Sequence, residues 1–516
     1  MTAGAEVTAG YRRALSPTIV AVGLTAVAGV ALRVWAYRAT IGTPNGDEAV
    51  MGLMTRHALD GELTTFYWGQ AYGGTQEVLL TMPIFLLTGS SWLGLRIVPI
   101  VLSGFAALLV WRVGRRLMGE PAGTVAGLVF WIWPGFNIFW LTHQQGFYGS
   151  NVVYCALLLL LALRVAERPD RMRVGVFGLV LGLAFWQTAQ IVPVAAGVVA
   201  WTVWKAPRAL RQLHVAVPLA LLGALPWIIW NVGHGWESLL QPDYGDKLRS
   251  VRLLASPVLP MITGLRAPLS AELLVPPAAL TYVVYVVLVG AFVYGFVRSI
   301  RRDVSILYVV VAVFPLVYAL SPKTSLALGT PRFVVVLTPV LALLVAQLAT
   351  DWGRGAVILV LACVISVVTL QRTEEWFRDT PRRTTHAEGL GPRHIVQWVP
   401  RDLGPLVDKL DALGLSHVYA EYWLAYRLNF DTDERIVAAH NAFVEVRLED
   451  GQAVPRTLDA DRYPPYTEQV REARHGFVFY RQFVDMIPIV PELERLGYRR
   501  HDVGSYVVYA PGTGTG

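Results

Sequence analysis

Two adjacent acids, Asp47 and Glu48, are the residues in this sequence with the clearest chemical potential. They follow Gly46 shortly after a long apolar run, which places two carboxylates at the edge of a membrane. A carboxylate there can take a proton from a hydroxyl, and partial burial beside lipid raises its pKa toward a useful range. A structural role stands beside the chemical one. Asp is favoured at helix N-caps, acids suit a first turn, and an amphipathic stretch with Val50, Leu53, Met54 and Ala58 on one face follows. The two roles are compatible.

Downstream, the run from Phe66 to Glu77 mixes aromatics, amides, glycines and an acid. Tyr67, Trp68, Gln70, Tyr72 and Glu77 suit a sugar: aromatic faces stack on ring C–H surfaces while amides and carboxylates bond hydroxyls. An aromatic belt at the bilayer interface accounts for the same residues. A second cluster, His143, Gln144 and Tyr148, lies in a tight connection between two apolar runs and can line the same cavity. A solvated interfacial histidine is the alternative for His143, because zinc needs three or four ligands and no such spacing is present. Cations near span ends are few on this side: Arg96, Arg266, Lys323 and Arg332. Each can grip a phosphate or snorkel toward headgroups. Arg332, after Gly329-Thr330-Pro331, is the first choice for a lipid-linked phosphate whose charge grows as it leaves.

The elements that position these residues are set by composition. Of 516 residues, 54% are hydrophobic and only 16% charged. Apolar runs recur from Pro17 to Gln371, which predicts a polytopic α-helical membrane protein of about eleven transmembrane helices. The spans fall near 17–37, 92–112, 122–142, 148–165, 174–188, 190–204, 214–231, 276–297, 304–320, 333–349 and 355–371. With the N-terminus cytoplasmic, the inner loops receive Arg12 and Arg13, then Arg112, Arg115 and Arg116, then Arg164 to Arg173, Lys205 to Arg211, and Arg298 to Arg302. This is the positive-inside pattern. Gln76–Leu87 is too short for a span and reads as interfacial or re-entrant. The outer face then carries the loop 38–91, a long loop over 232–276, and everything after Arg372.

Residues 1–371 thus form the membrane part, with the candidate site in loop 38–91. Residues 372–516 form an extracytoplasmic α/β domain. Its pattern predicts a helix over Leu403–Leu413, strands at His417–Tyr422, Arg435–Ala439, Gly476–Tyr480 and Ser505–Tyr509, and a helix near Pro491–Leu496. The net charge of +7 is lopsided rather than global, and both cysteines, Cys155 and Cys363, lie in apolar runs, so no disulfide framework is available outside. Walker or dinucleotide glycine motifs are absent, and nothing points to nucleic acid.

One span, an outer loop opening with Asp47-Glu48, an interfacial helix, Leu95-Arg96 entering the next span and Pro331-Arg332-Phe333 before a late span together resemble the C-type glycosyltransferase (GT-C) superfamily. That superfamily includes protein O-mannosyltransferases and the aminoarabinose transferases. The resemblance covers roughly 15–370 and is strongest over 40–118. It implies transfer of a sugar from a polyprenyl-phosphate donor to a hydroxyl of a cell-envelope glycan, lipid or protein, with inversion, at the plasma membrane among its lipids. Asp47 matches the family's catalytic acid, and Glu48 the acid beside it. Aminoarabinose-type relatives carry a Lys where this chain has Thr75-Gln76-Glu77. No cofactor is implied with certainty; some branches use a divalent cation, and one Asp-Glu pair is too few ligands to decide. The rival reading is a transporter or flippase of lipid-linked saccharide, which places ionisable residues near the midplane in repeated, broken helices. A non-catalytic scaffold leaves the acid pair and the Trp/Tyr/Gln-rich loop without explanation.

Overall fold

The computed structural model describes residues 17–240, 247–266, 278–320, 331–349, 351–379, 400–441, 446–449, 452–455 and 461–512; Lys323 lies outside them. Apolar runs become helices because in lipid only a helix satisfies its own backbone groups without a partner strand. Helix α1 (Pro17–Arg38) is followed by the short α2 (Gly46–Leu59) and α3 (Gln76–Thr88) before the long α4 (Trp92–Met118). The next apolar run is split at Pro134 into α5 (Glu120–Ile132) and α6 (Gly135–Trp140), since proline removes a ladder donor. Helices α7 (Tyr148–Glu167), α8 (Arg171–Gln187), α9 (Val192–Lys205), α10 (Leu213–Gly223) and α11 (Leu225–Gly233) continue the bundle.

The stretch expected to be an outer loop over 232–276 contains α12 (Lys247–Leu253) and α13 (Leu259–Thr263), which turn back into the bundle. Leu254, Val258, Met261 and Ile262 are buried, and α13 packs on α6 and on the 3-10 segment Pro331–Leu337. Four apolar side chains at near-helical spacing drive this return. Helices α14 (Ala278–Ser299), α15 (Ser305–Leu320), α16 (Thr338–Ala346) and α17 (Trp352–Asp379) complete the bundle.

Four described helices, α1, α4, α7 and α17, are long and apolar enough to cross a membrane, or five spans if the bent pair Ala189–Lys205 and Pro207–Gly223 counts as one. Large apolar side chains such as Leu24, Leu87, Leu108 and Val360 stand exposed, a surface made for lipid. The basic turns gather at one end, where Arg116 pairs with Glu167 and Lys205 donates to the carbonyls of Ile300 and Arg301. Arg96 lies on the same helix as Arg116 but about 30 Å away along its axis. The residues of interest therefore occupy the end opposite the basic turns.

After α17 the described chain resumes with α18 (Gly404–Ala412), β1 (His417–Ala420), α19 (Tyr422–Asp431) and β2 (Val437–His440). A hairpin of β3 (Val446–Glu449) and β4 (Gln452–Pro455) leads to α20 (Pro464–Glu472), β5 (Gly476–Tyr480), α21 (Val490–Arg495), β6 (Tyr498–Val503) and β7 (Tyr506–Pro511). The main sheet runs β2-β1-β5-β7-β6, with the first three strands parallel and the last two pairings antiparallel. The strand expected to reach Tyr422 stops at Ala420. Glu421 accepts the Trp423 backbone N–H at 3.0 Å and starts α19, a helix the sequence pattern did not disclose.

Helix α2 sits between the bundle and this sheet region. It has no lipid-facing stripe: Glu48, Ala49, Val50, Met51, Gly52, Leu53, Met54 and Thr55 are all buried. On one side it meets α3 and α4, and on the other it packs along α19. One apolar core therefore joins Val50, Leu53, Val78 and Leu95 to Tyr426, Phe430 and Phe477. Gly52 permits the closest approach, because a Cβ there would stand 2.3 Å from the Phe430 ring. Gly52→Val is expected to destabilise the protein by about 1–3 kcal/mol through overpacking, read as a lower melting temperature in detergent and faster proteolysis within 400–441.

Candidate active site

Asn45, not Asp47, caps α2: its side-chain oxygen accepts the Glu48 backbone N–H at 3.0 Å. Asp47 is thereby released from a capping duty and lies in the first turn. One of its carboxylate oxygens accepts from the Tyr422 hydroxyl at 2.6 Å and from the Tyr67 hydroxyl at 3.5 Å. Tyr67 also donates to the Asp47 backbone carbonyl at 3.1 Å. Arg332 is within electrostatic reach of Asp47, Tyr148, Tyr72 and Tyr422, and Arg462 of Asp47, Tyr422 and Tyr67. The sheet region thus supplies Tyr422 and Arg462 to a group otherwise built from the bundle end.

Glu48 faces the other way and is fully buried. Arg96 grips it with two bonds, Nε to Oε1 at 2.7 Å and a terminal nitrogen to Oε2 at 2.6 Å. The remaining Arg96 nitrogen donates to the Gly42 carbonyl at 2.8 Å, and Glu48 also accepts the Gln144 backbone N–H at 2.9 Å. Arg96 is consequently not in the Asp47 group. Its charge is matched inside the protein, and the pair ties α2 to α4 and to the connection before α7.

The other sequence candidates divide in the same way. Tyr72 and Tyr148 stay with Arg332, and Gln70 orients its carbonyl oxygen to accept from both terminal Arg462 nitrogens at 2.6 and 2.9 Å while donating to the Tyr72 hydroxyl at 2.9 Å. Glu77 is buried and accepts from the Ser150 backbone N–H at 2.8 Å and its hydroxyl at 2.7 Å. His143 is buried beside Glu48, with Nδ1 2.8 Å from the Phe139 carbonyl, so it is not solvated. Trp68 stacks on Tyr463 at 4.2 Å between ring centroids and is covered by the sheet region. Arg266 follows α13, outside the described contacts of Asp47, with a buried Nε that has no hydrogen-bond partner among the described residues. Tyr422 and Arg462 were missed by sequence reasoning; the one available signal was a Tyr-Trp pair just after a strand.

No protein-family model and no curated protein sequence matches the chain. The solved structures are informative. ArnT from Cupriavidus metallidurans in the apo state aligns over 95% of this chain and 97% of its own length, with a TM-score of 0.61 at 13% identity. The chain has the GT-C fold. The same ArnT bound to undecaprenyl phosphate aligns over the same shares with a TM-score of 0.55 and 13% identity. AglB from Archaeoglobus fulgidus, with an inhibitory peptide and a dolichol phosphate, gives 0.46 at 12% identity over 96% of this chain and 74% of AglB.

Within this GT-C fold the Glu48–Arg96 pair is a positional anchor. Breaking it by Glu48→Ala is expected to cost about 3–5 kcal/mol, because Arg96 is left as an uncompensated buried charge. Replacing both partners by Met is expected to recover much of that loss in a detergent melting assay.

His57, near the end of α2, fastens the sheet region to the GT-C bundle. Its Nδ1 lies 2.8 Å from Glu62 and its Nε2 2.9 Å from Glu434, while Tyr463 donates to Glu62 at 3.0 Å. Burial disfavours the imidazolium, yet hydrogen bonds to Glu434 and Glu62 outweigh it and raise the pKa above the ordinary value. A raised folded-state pKa contributes stability that is complete below the unfolded value, near about 6.5, and is lost as pH rises through the folded value. The melting temperature is expected to fall as pH rises above about 6.5, and His57→Gln to flatten that slope.

Proposed function

We propose that this protein transfers a sugar from a polyprenyl-phosphate donor to a hydroxyl group of a glycan, lipid or protein acceptor at the outer face of the plasma membrane. The observation that carries the reading is the Asp47 carboxylate, held at the non-basic end of a GT-C bundle by two phenols, with Arg332 in electrostatic reach. The undecaprenyl phosphate bound to ArnT, which shares the fold, supports a lipid-phosphate carrier. Eleven spans with a cytoplasmic N-terminus and the sheet region outside complete the proposal, in keeping with the clustering of basic turns at one end.

The chemistry follows from charge. The acceptor O–H gives its proton to Asp47, its oxygen attacks the anomeric carbon from the face opposite the phosphate, and the anomeric C–O bond breaks with its electron pair going to the phosphate oxygen. The product is inverted at that carbon. Tyr422 and Tyr67 fix one carboxylate oxygen and leave the other for the acceptor. Arg332 offsets charge that grows on the departing phosphate. Among the described residues there is no cluster of three or more His, Cys, Asp or Glu arranged for a metal. The donors around Asp47 are phenols and guanidinium groups, which do not fit the oxygen set of a divalent cation.

Purified protein given a panel of radiolabelled polyprenyl-phosphate sugars and membrane acceptors is expected to transfer label. Asp47→Asn is expected to lower the rate by about 10²–10⁴-fold with unchanged melting temperature. Full activity of Asp47→Ala removes the base assignment.

A further inference from the structure

Arg462 has more donors than its contacts use. It comes from the segment entering α20, and its guanidinium lies 5.4 Å from the Tyr67 ring centroid and 5.6 Å from that of Tyr422. Its protein partners are the Gln70 side-chain oxygen, the Gly69 carbonyl at 3.5 Å and the Tyr422 hydroxyl. The Nε is buried and has no partner among the described residues. None of these partners is a carboxylate that neutralises it.

The neighbouring acids are committed elsewhere. Asp461 is turned toward Tyr426, the Tyr463 backbone N–H and Thr467. Glu48 is held by Arg96, and Glu77 by Ser150. Arg332 and Arg462 both reach Asp47 and Tyr422 electrostatically, Arg332 from the bundle side and Arg462 from the sheet region. Two guanidiniums against one carboxylate leave this half-buried group with an excess positive charge. An anion would balance it, and guanidinium forks match phosphate oxygens in geometry as well as charge.

We infer that Arg462 is a second phosphate-binding residue, closing with Arg332 on the lipid-linked phosphate from the opposite side of Asp47. The inference rests on the proposed transferase reading and deepens it. A donor phosphodiester carries one negative charge and the released phosphomonoester carries up to two, so two cations bind the product form more strongly than the donor form. They stabilise the leaving group as the anomeric bond breaks.

Binding of undecaprenyl phosphate and of undecaprenol to the full-length protein in detergent micelles tests the inference. Wild type is expected to prefer the phosphate, and Arg462→Gln to weaken phosphate binding by about tenfold or more. Arg462→Lys is expected to retain part of the phosphate preference, undecaprenol binding to stay unchanged in both variants, and the Arg332→Gln/Arg462→Gln pair to be non-additive. Loss of phosphate binding in Arg332→Gln with wild-type binding in Arg462→Gln overturns the inference and leaves the transferase reading intact. Equal binding of both lipids by wild type overturns both. Loss of undecaprenol binding together with phosphate binding in Arg462→Gln marks a structural role and overturns the inference.

Discussion

A carboxylate and a guanidinium buried together hold this architecture in place. Glu48 and Arg96 exchange two short hydrogen bonds, and the carbonyl of Gly42 and the backbone N–H of Gln144 complete their shells. Such a pair adds little net stability over an apolar equivalent, since desolvation consumes most of the attraction. Its value lies in direction. It binds the first turn of α2 to α4, to the end of the α1 connection and to the segment before α7. Asp47 is the adjacent residue, so its side chain must leave the helix at a fixed angle to that anchor, toward Tyr67, Tyr148 and Arg332.

The second constraint is that α2 is covered on both sides. A helix buried all round needs apolar partners in two directions, and the sheet region provides one of them through Tyr426 and Phe430. The same contact that hides Val50 and Leu53 from water brings Tyr422 to the Asp47 carboxylate. Packing and chemistry are therefore one event here. Trp68 shows the other side of that event: it is stacked on Tyr463 and edge-on to His57, so it is part of the seam between the two regions.

Much of the bundle could be read from the sequence because lipid imposes a strict rule, and apolar runs bounded by arginines obey it. The segment Gly476–Tyr480 was readable as a strand for a similar reason, since it is buried on both faces. Asp47 stood out by its place after α1, although the cap went to Asn45, a competition that spacing alone does not decide. Glu48 and Asp47 are indistinguishable by type and position; only the partner at Arg96 separates them. Tyr67 and Trp68 are likewise neighbours with different duties, settled by what the sheet region lays against each. Tyr422 and Arg462 were out of reach, because the hydrogen bond from Tyr422 to Asp47 spans 375 residues and the turn at Glu421 looks like continuing strand. Helices α12 and α13 were hidden by their length, too short to show a clear period.

That long-range hydrogen bond has a consequence for biosynthesis. Asp47 emerges from the ribosome before its phenolic partner, which follows every described bundle helix. Until then the carboxylate lacks the Tyr422 hydroxyl and α2 has one bare apolar flank. A nascent chain therefore carries the acid without this hydrogen bond until the sheet region has folded against α2.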